Sequence, residues 1–301
     1  MPGLPIPGGS SVLFSVASLF VSLSVLWGAM TRLYQFLSAV ILVLGLAAPQ
    51  AFADQPKNWG LWTQDPASPT MHQIVDLHTT LTVIIFAITI FVFAIMGIII
   101  VRFHKSRNPV AQQWSHNTVL EVLWTLIPVL ILVTIAFPSF KLLYAADHTE
   151  NADYTLKVTG HQWYWSYAYP DLNINFDSNL VQDDSLQPGQ PRLLTVDQHV
   201  VVPVGAVIRL QTTADDVIHS WSVPAFGVKI DAVPGRLNET WFKAETAGTY
   251  YGQCSQLCGI NHGFMPIQIE VVSKEDFDAW VAQTAQKSSS AATSQLASAG
   301  H

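Results

Sequence analysis

The hydrophobic pattern changes character twice along the chain. Two apolar runs, "LHTTLTVIIFAITIFVFAIMGIIIV" from Leu77 to Val101 and "VLEVLWTLIPVLILVTIAFPSFKLL" from Val119 to Leu143, each have about 25 residues against the ~20 that cross a bilayer. They predict a helical transmembrane hairpin over residues 77–144. Pro128 and Pro138 are tolerable there, because neighbouring helices satisfy the carbonyls that a proline frees. Beyond Tyr144 the pattern breaks into short alternating segments separated by Pro, Gly, Asp and Asn. "YTLKVTGHQWYWSYAY", "RLLTV", "HVVVPVG", "AVIRLQTTA", "SWSVPAFGVKI", "ETWFKAE", "GTYYGQC" and "MPIQIEVV" all read as strands at the spacing of a β-sandwich. An all-β domain is therefore expected over 153–272. "SKEDFDAWVAQTAQ", 273–286, predicts a short helix with Ser273 as its N-cap and Asp276 three residues on. The small, polar stretch 287–301 carries no pattern of order.

A third apolar stretch lies upstream. "TRLYQFLSAVILVLGLAAPQAFA" has a basic start at Arg32, an apolar centre and an A-x-A pattern at Ala51 and Ala53. It predicts a secretory signal peptide over 30–53, cleaved after Ala53, with 54–76 as an exported N-terminal segment. Residues 1–29 then read as the product of a start codon set too early, or as an extra membrane anchor.

Charge sharpens the organisation. The linker between the two long runs carries Arg102, Lys105 and Arg107, which places it in the cytoplasm and both outer ends of the hairpin on the far side. From Asp147 onward there are 17 Asp/Glu against 8 Lys/Arg, whereas the whole chain carries −7. An acidic exported domain argues against nucleic acid and for a basic partner.

The candidate chemistry lies in "CSQLCGINHGFM", residues 254–265. Cys254 and Cys258, the chain's two cysteines, share this stretch with His262 and Met265, and "DVIHSW" offers His219 near a strand end. Thiolate, imidazole and thioether suit copper far better than magnesium or calcium. Three readings follow from the residues: two coppers bridged by two thiolates, one copper with a spare thiol, or a disulfide with incidental histidines. A covalent c-type haem is excluded, because three residues separate the cysteines.

"GHQWYWSYAYPD", "DVIHSWSVPAFGVKIDAVPGRLN" and "GTYYGQCSQLCGINHGFMPI" stand in the order of family signatures. From Gln64 to Trp280 the chain resembles subunit II of haem-copper cytochrome c oxidases. The resemblance implies a two-helix transmembrane hairpin followed by an all-β cupredoxin-like Greek-key barrel. It implies a binuclear copper centre, CuA, with side-chain ligands His219, Cys254, Cys258, His262 and Met265, and the main-chain carbonyl of Gln256.

The family usually has glutamate at position 256, whose carboxylate also reaches a magnesium ion at subunit I. The neutral amide here puts that ion in doubt. Trp163, with Tyr164 beside it, would be the entry point for electrons from cytochrome c, guided by Asp177, Asp215 and Asp216. Strand alternation sends Trp163 and Trp165 to one face, and Trp165 reads as core. Ala168 stands where the family often has another glutamate.

Glu121 and His116 would open a proton path into subunit I, although a carboxylate at a helix N-terminus is also favoured by the helix dipole alone. The implied role is electron relay, from cytochrome c through CuA to a haem in subunit I where oxygen is reduced, with subunit III as a further neighbour. The implied location is a bacterial-type cell membrane with the β domain outside. A copper-free quinol oxidase subunit and a membrane-tethered copper carrier are the alternatives. The first predicts loss of the cysteines and histidines, and the second an under-coordinated site.

Overall fold

The computed structural model describes residues 52–110, 112–147 and 151–285. The expected upstream start and all but the end of the expected signal peptide lie outside them, as does the tail from 286. The short strand β1, Phe52–Asp54, straddles the expected cleavage point and runs parallel to residues 248–250.

Helix α1 spans Pro69–Arg102 and α2 spans Thr118–Asp147. Both extend past the apolar runs that predict them, α1 mainly at its start and α2 mainly at its end. Ser68 caps α1, its hydroxyl accepting from the backbone N–H of Met71 at 3.0 Å, with Pro69 at the first helical position. Asn117 caps α2 by accepting from the N–H groups of Val119 and Leu120 at 3.1 and 3.2 Å. The large apolar side chains of both helices face outward, as they do when lipid or other membrane helices surround them.

Ten further strands build the β domain in two sheets. β2 (Tyr154–His161), β3 (Tyr164–Tyr169), β4 (Ile174–Ser178), β6 (Val207–Ala214) and β9 (Asn238–Lys243) form one, in the order β4-β3-β2-β6-β9. β5 (Val200–Pro203), β7 (His219–Val223), β8 (Val228–Ala232), β10 (Gly248–Cys254) and β11 (Pro266–Val272) form the other, in the order β5-β11-β10-β7-β8, with β1 also on β10. A parallel pair occurs in each sheet, β2 with β6 and β5 with β11, since strands distant in sequence close the sandwich. Residues 274–285 form helix α3. Ser273 caps it, donating to the Asp276 carboxylate at 2.8 Å and accepting from the Asp276 N–H at 3.1 Å.

The inner faces meet in an aromatic core of Trp165, Trp221, Tyr167, Tyr169, Phe226, Phe242 and Tyr250, all essentially inaccessible to water. Phe226 stacks on Phe242 at a centroid distance of 4.9 Å. Burial drives the Tyr167 and Tyr169 hydroxyls far above their usual range, with Tyr167 adding to the effect at Tyr169, and each has a partner: Trp221 Nε1 donates to Tyr167, and Tyr169 donates to Val201 O.

Three expected strands come out differently. The run 154–169 is a hairpin rather than one strand: it reverses at Gln162 and Trp163, joined by a cis peptide bond, so Trp163 sits in the turn and not on the face of Trp165. The run 220–230 also folds back on itself, through a 3₁₀ turn at Pro224–Phe226 and Gly227 at φ +66°. "RLLTV" is turn-like, with Leu193 at φ +64° and only an isolated bridge from Val196 to Leu180.

The β domain grips the outer ends of both helices. Beside the start of α1, Ala67 N donates to Ala225 O at 2.9 Å, Glu245 N to Ala67 O at 3.0 Å, and Ser68 Oγ to Phe226 O at 2.7 Å. At the end of α2, Trp241 Nε1 donates to Ala145 O at 3.0 Å and Thr240 Oγ1 to Ala146 O at 3.1 Å. These are carbonyls of the last turn, which a helix cannot satisfy internally.

Candidate metal centre

His219 opens β7, Cys254 closes β10, and the loop from Ser255 to Met265 returns the chain to β11. Pairing of Cys254 with Trp221 across β10 and β7 puts the two ligand-bearing strand ends side by side. The backbone N–H of Ser255 then donates to Ser220 O at 2.9 Å and pins the start of the loop. A one-turn 3₁₀ helix at His262–Phe264 folds the loop back inward.

The result is convergence. Cys254 Sγ lies 3.9 Å from both Cys258 Sγ and His219 Nδ1, and Cys258 Sγ lies 3.6 Å from both His262 Nδ1 and Met265 Sδ. Gln256 O is 3.4 Å from Cys254 Sγ. His219, Cys254, Cys258 and Met265 are buried, His262 is half-buried, and the Gln256 side chain is exposed. The cysteines are not disulfide-bonded, and their sulfurs stand well beyond the ~2.05 Å of such a bond. Two thiols, two imidazoles and a thioether around one buried spot fit a soft or borderline metal such as copper.

Electrostatics prepares the thiols unequally. Burial pushes Cys254 up, but hydrogen bonds to His219, to the backbone at Ser220 and Gln256 and to His262 overcome this and hold it down. Burial pushes Cys258 up, and the neighbouring Cys254 charge adds to it. At His219 burial favours the neutral ring, yet hydrogen bonds with Cys254 and Asp216 outweigh it and raise the imidazole.

Several supporting residues escape sequence reasoning, since their partners lie far along the chain. Trp165, fully buried, donates from Nε1 to Met265 O at 3.2 Å and sets its ring edge-on to His219, 5.8 Å between centroids. Gly160 leaves room for that imidazole: a Cβ there would lie 2.8 Å from His219 Cδ2. Gln162 Nε2 donates to Cys258 O at 2.7 Å, and Trp163 packs on Gly259, where a Cβ would meet Trp163 Cζ2 at 3.0 Å. The only signal in the sequence was the cluster "GHQW" ahead of the aromatic strand.

Of the expected docking acids, Asp215 is exposed and lies 3.4 Å from His161 Nδ1, while Asp177 accepts from Ser166 Oγ at 2.6 Å. Asp216 faces inward to His219 Nε2 at 2.9 Å. Tyr164 stacks on His161, centroids 4.5 Å apart, away from the sulfurs. Glu121 lies in the first turn of α2, half-buried, with His116 exposed just before it, both remote in the fold from the metal-ligand cluster.

Two family models match the chain: the periplasmic domain of cytochrome c oxidase subunit II over residues 154–272, and its transmembrane domain over residues 56–142. The chain belongs to the cytochrome c oxidase subunit II family. A Rickettsia bellii protein named "Probable cytochrome c oxidase subunit 2" is 50% identical over 265 residues, covering 87% of this chain and 98% of the relative. "Cytochrome c oxidase subunit 2" of Chondrus crispus is 45% identical over 76% of this chain and 92% of its own. The crystal structure of the periplasmic domain of subunit II of cytochrome oxidase from Bradyrhizobium japonicum is 58% identical, covers 46% of this chain and 99% of that one, and has a TM-score of 0.44. As a cytochrome c oxidase subunit II, the chain is a membrane-anchored electron-transfer component of a haem-copper terminal oxidase.

Proposed function

We propose that this subunit holds the binuclear CuA centre on His219, Cys254, Cys258, His262, Met265 and the carbonyl of Gln256. It takes electrons from cytochrome c and hands them to a haem in subunit I. The observation that carries this reading is the pair of unlinked, buried thiols 3.9 Å apart with His219, His262 and Met265 around them. When bound by these thiols, imidazoles and thioether, copper would supply a one-electron redox site.

The chain's own residues do the rest. Trp165, Asp216 and the β7–β10 pairing hold ligands from outside the cluster, so the cage needs little rearrangement when its charge changes. Trp163 packs on Gly259, the residue after Cys258, and is only partly buried, which makes it the entry point for the electron, with Tyr164 at its side. Asp177 and Asp215 draw a basic donor by long-range attraction, and Asp216 adds to this from its exposed edge.

The basic linker at 102–107 lies in the cytoplasm and the β domain on the outer face of a bacterial-type membrane. Glu121 and His116, at the cytoplasmic start of α2, feed protons toward subunit I, and subunit III completes the neighbourhood. Gln256 offers an amide where magnesium favours a carboxylate, so that ion binds weakly or not at all.

The test is a copper count and paramagnetic resonance spectrum of the intact oxidase, beside a Cys258→Ser variant. Hyperfine splitting from one electron shared over two copper nuclei, lost in the variant, is expected. A single localised copper, or a Cys254–Cys258 disulfide without metal, refutes the reading.

A further inference from the structure

Between β1 and α1 the chain makes a small, closed loop whose apolar residues point away from the protein. Lys57 Nζ bonds Asp65 Oδ2 at 2.6 Å across its base, and Gly60 N donates to Lys57 O at 3.1 Å inside it. Trp59 occupies the tip at φ +59°, a conformation that bulky residues rarely adopt. Its side chain is 97% exposed, that of Leu61 98%, and that of Trp62 52%. A loop that spends strain to present a tryptophan and a leucine to the outside is not serving the core.

The depth of this loop follows from α1. With 34 residues at about 1.5 Å each, the helix is roughly 50 Å long, well over the ~30 Å hydrocarbon layer. Arg102, in its last turn, marks one boundary. About 20 residues back the other boundary falls near Leu81 and Thr82, where the sequence turns to threonines whose hydroxyls bond carbonyls of their own helix. His78 therefore lies about one turn outside the hydrocarbon, among the headgroups, on the side of the β domain. The Trp62 ring packs edge-on against His78, 4.8 Å between centroids, and fixes the loop at that level.

We infer that the loop 57–65 is an interfacial anchor, with Trp59, Leu61 and Trp62 seated at the boundary between lipid headgroups and acyl chains. Tryptophan is favoured there because its ring is apolar and its N–H is not. Lys57, Asn58 and Asp65 give the loop the polar rim that such a layer requires, and a wholly protein-covered patch does not. The family's transmembrane model matches residues 56–142 and so takes in this loop together with the hairpin. The inference rests on the hairpin crossing the bilayer.

The experiment places a photo-crosslinking residue, Trp59→benzoylphenylalanine or Leu61→benzoylphenylalanine, in the intact oxidase in its native membrane. After irradiation, subunit II is analysed by mass spectrometry. Both positions are expected to yield mainly phospholipid adducts. Mainly polypeptide adducts would make the loop a subunit contact, and no adduct at either position would leave it in water; each result overturns the anchor. Carbonate extraction of the same membranes separates this from failure of the spanning hairpin, which would release the subunit.

Discussion

Asp216 Oδ1 lies 2.9 Å from Nε2 of His219, on the opposite side of the ring from the nitrogen that faces Cys254. The carboxylate also accepts the backbone N–H groups of Gln162 at 2.7 Å and Val217 at 2.6 Å. Burial disfavours its charge, but these bonds and the imidazole more than compensate and hold it below the ordinary carboxylate range. One side chain thus orients a candidate ligand and ties down the turn that carries Trp163. A residue with the sequence signature of a surface acid is a positioning residue for the centre.

Asp216→Asn and Asp215→Asn should therefore separate two roles. The first should weaken metal retention by about 10–100-fold, the usual cost of losing a partner of a metal-bound histidine. The second should leave metal in place and reduce only the salt-dependent part of the encounter with cytochrome c. Copper loss to a chelator, measured beside the KM for the donor over a range of ionic strength, distinguishes them.

Gly160→Ala should displace His219, since the added methyl carbon would sit 2.8 Å from its ring. Overpacking of this kind costs about 1–3 kcal/mol. Copper content should fall more than the melting temperature does, because the strain is directed at a ligand rather than at the sheet. Equal copper content in variant and parent would contradict this.

The two tryptophans of the aromatic hairpin should behave oppositely. Trp165→Phe removes a buried hydrogen bond to Met265 O and should cost about 1–2 kcal/mol, with a shift in the optical spectrum of the centre. Trp163→Leu should leave that spectrum nearly unchanged and slow reduction by cytochrome c by about a hundredfold, the scale on which a lost positioning contact acts. Stopped-flow reduction and thermal unfolding read the two effects independently.

Asp54 is buried on β1, and neither carboxylate oxygen has a hydrogen-bond partner among the described residues. Burial pushes its carboxyl up to about 6, and Asp65 adds to this while Lys57 opposes it. The folded state then holds a proton more tightly than the unfolded chain. Its contribution is fully present below about 3.8 and is lost as pH rises through about 6. Asp54→Asn should accordingly be more stable than the parent at pH 7, by roughly 1–3 kcal/mol, and no more stable at pH 4. A gain that does not change with pH would point to packing instead of charge.

The long apolar runs were legible from their length, and strands β6, β9, β10 and β11 because each is a run of strand-forming residues bounded by turn residues; β6 also alternates cleanly between the two faces. The turn at Gln162 and Trp163 was not, since neither residue is a Gly, Pro, Asn or Asp that would mark a reversal. Strand β4, "INFDS", escaped for the converse reason: its Asn and Asp read as loop. The spacing of Cys254, Cys258, His262 and Met265 marked side chains that the fold brings together. Their supports did not show, because Trp165 and Met265 are 100 residues apart, Gln162 and Cys258 are 96, and only the closed sandwich brings them together.

The hydrogen bonds from Ala67 and Ser68 to one edge of the β domain, and from Thr240 and Trp241 to the last turn of α2, form a two-point mount. A domain hung from one flexible stalk would tilt and swing above the membrane, and electron tunnelling weakens steeply with every added ångström. Two separated attachments leave it no pivot. The height and heading of the His219–Cys254–Cys258 cluster relative to the hairpin are thus set by the helices themselves, so any subunit that packs against the hairpin meets that cluster at a constant distance.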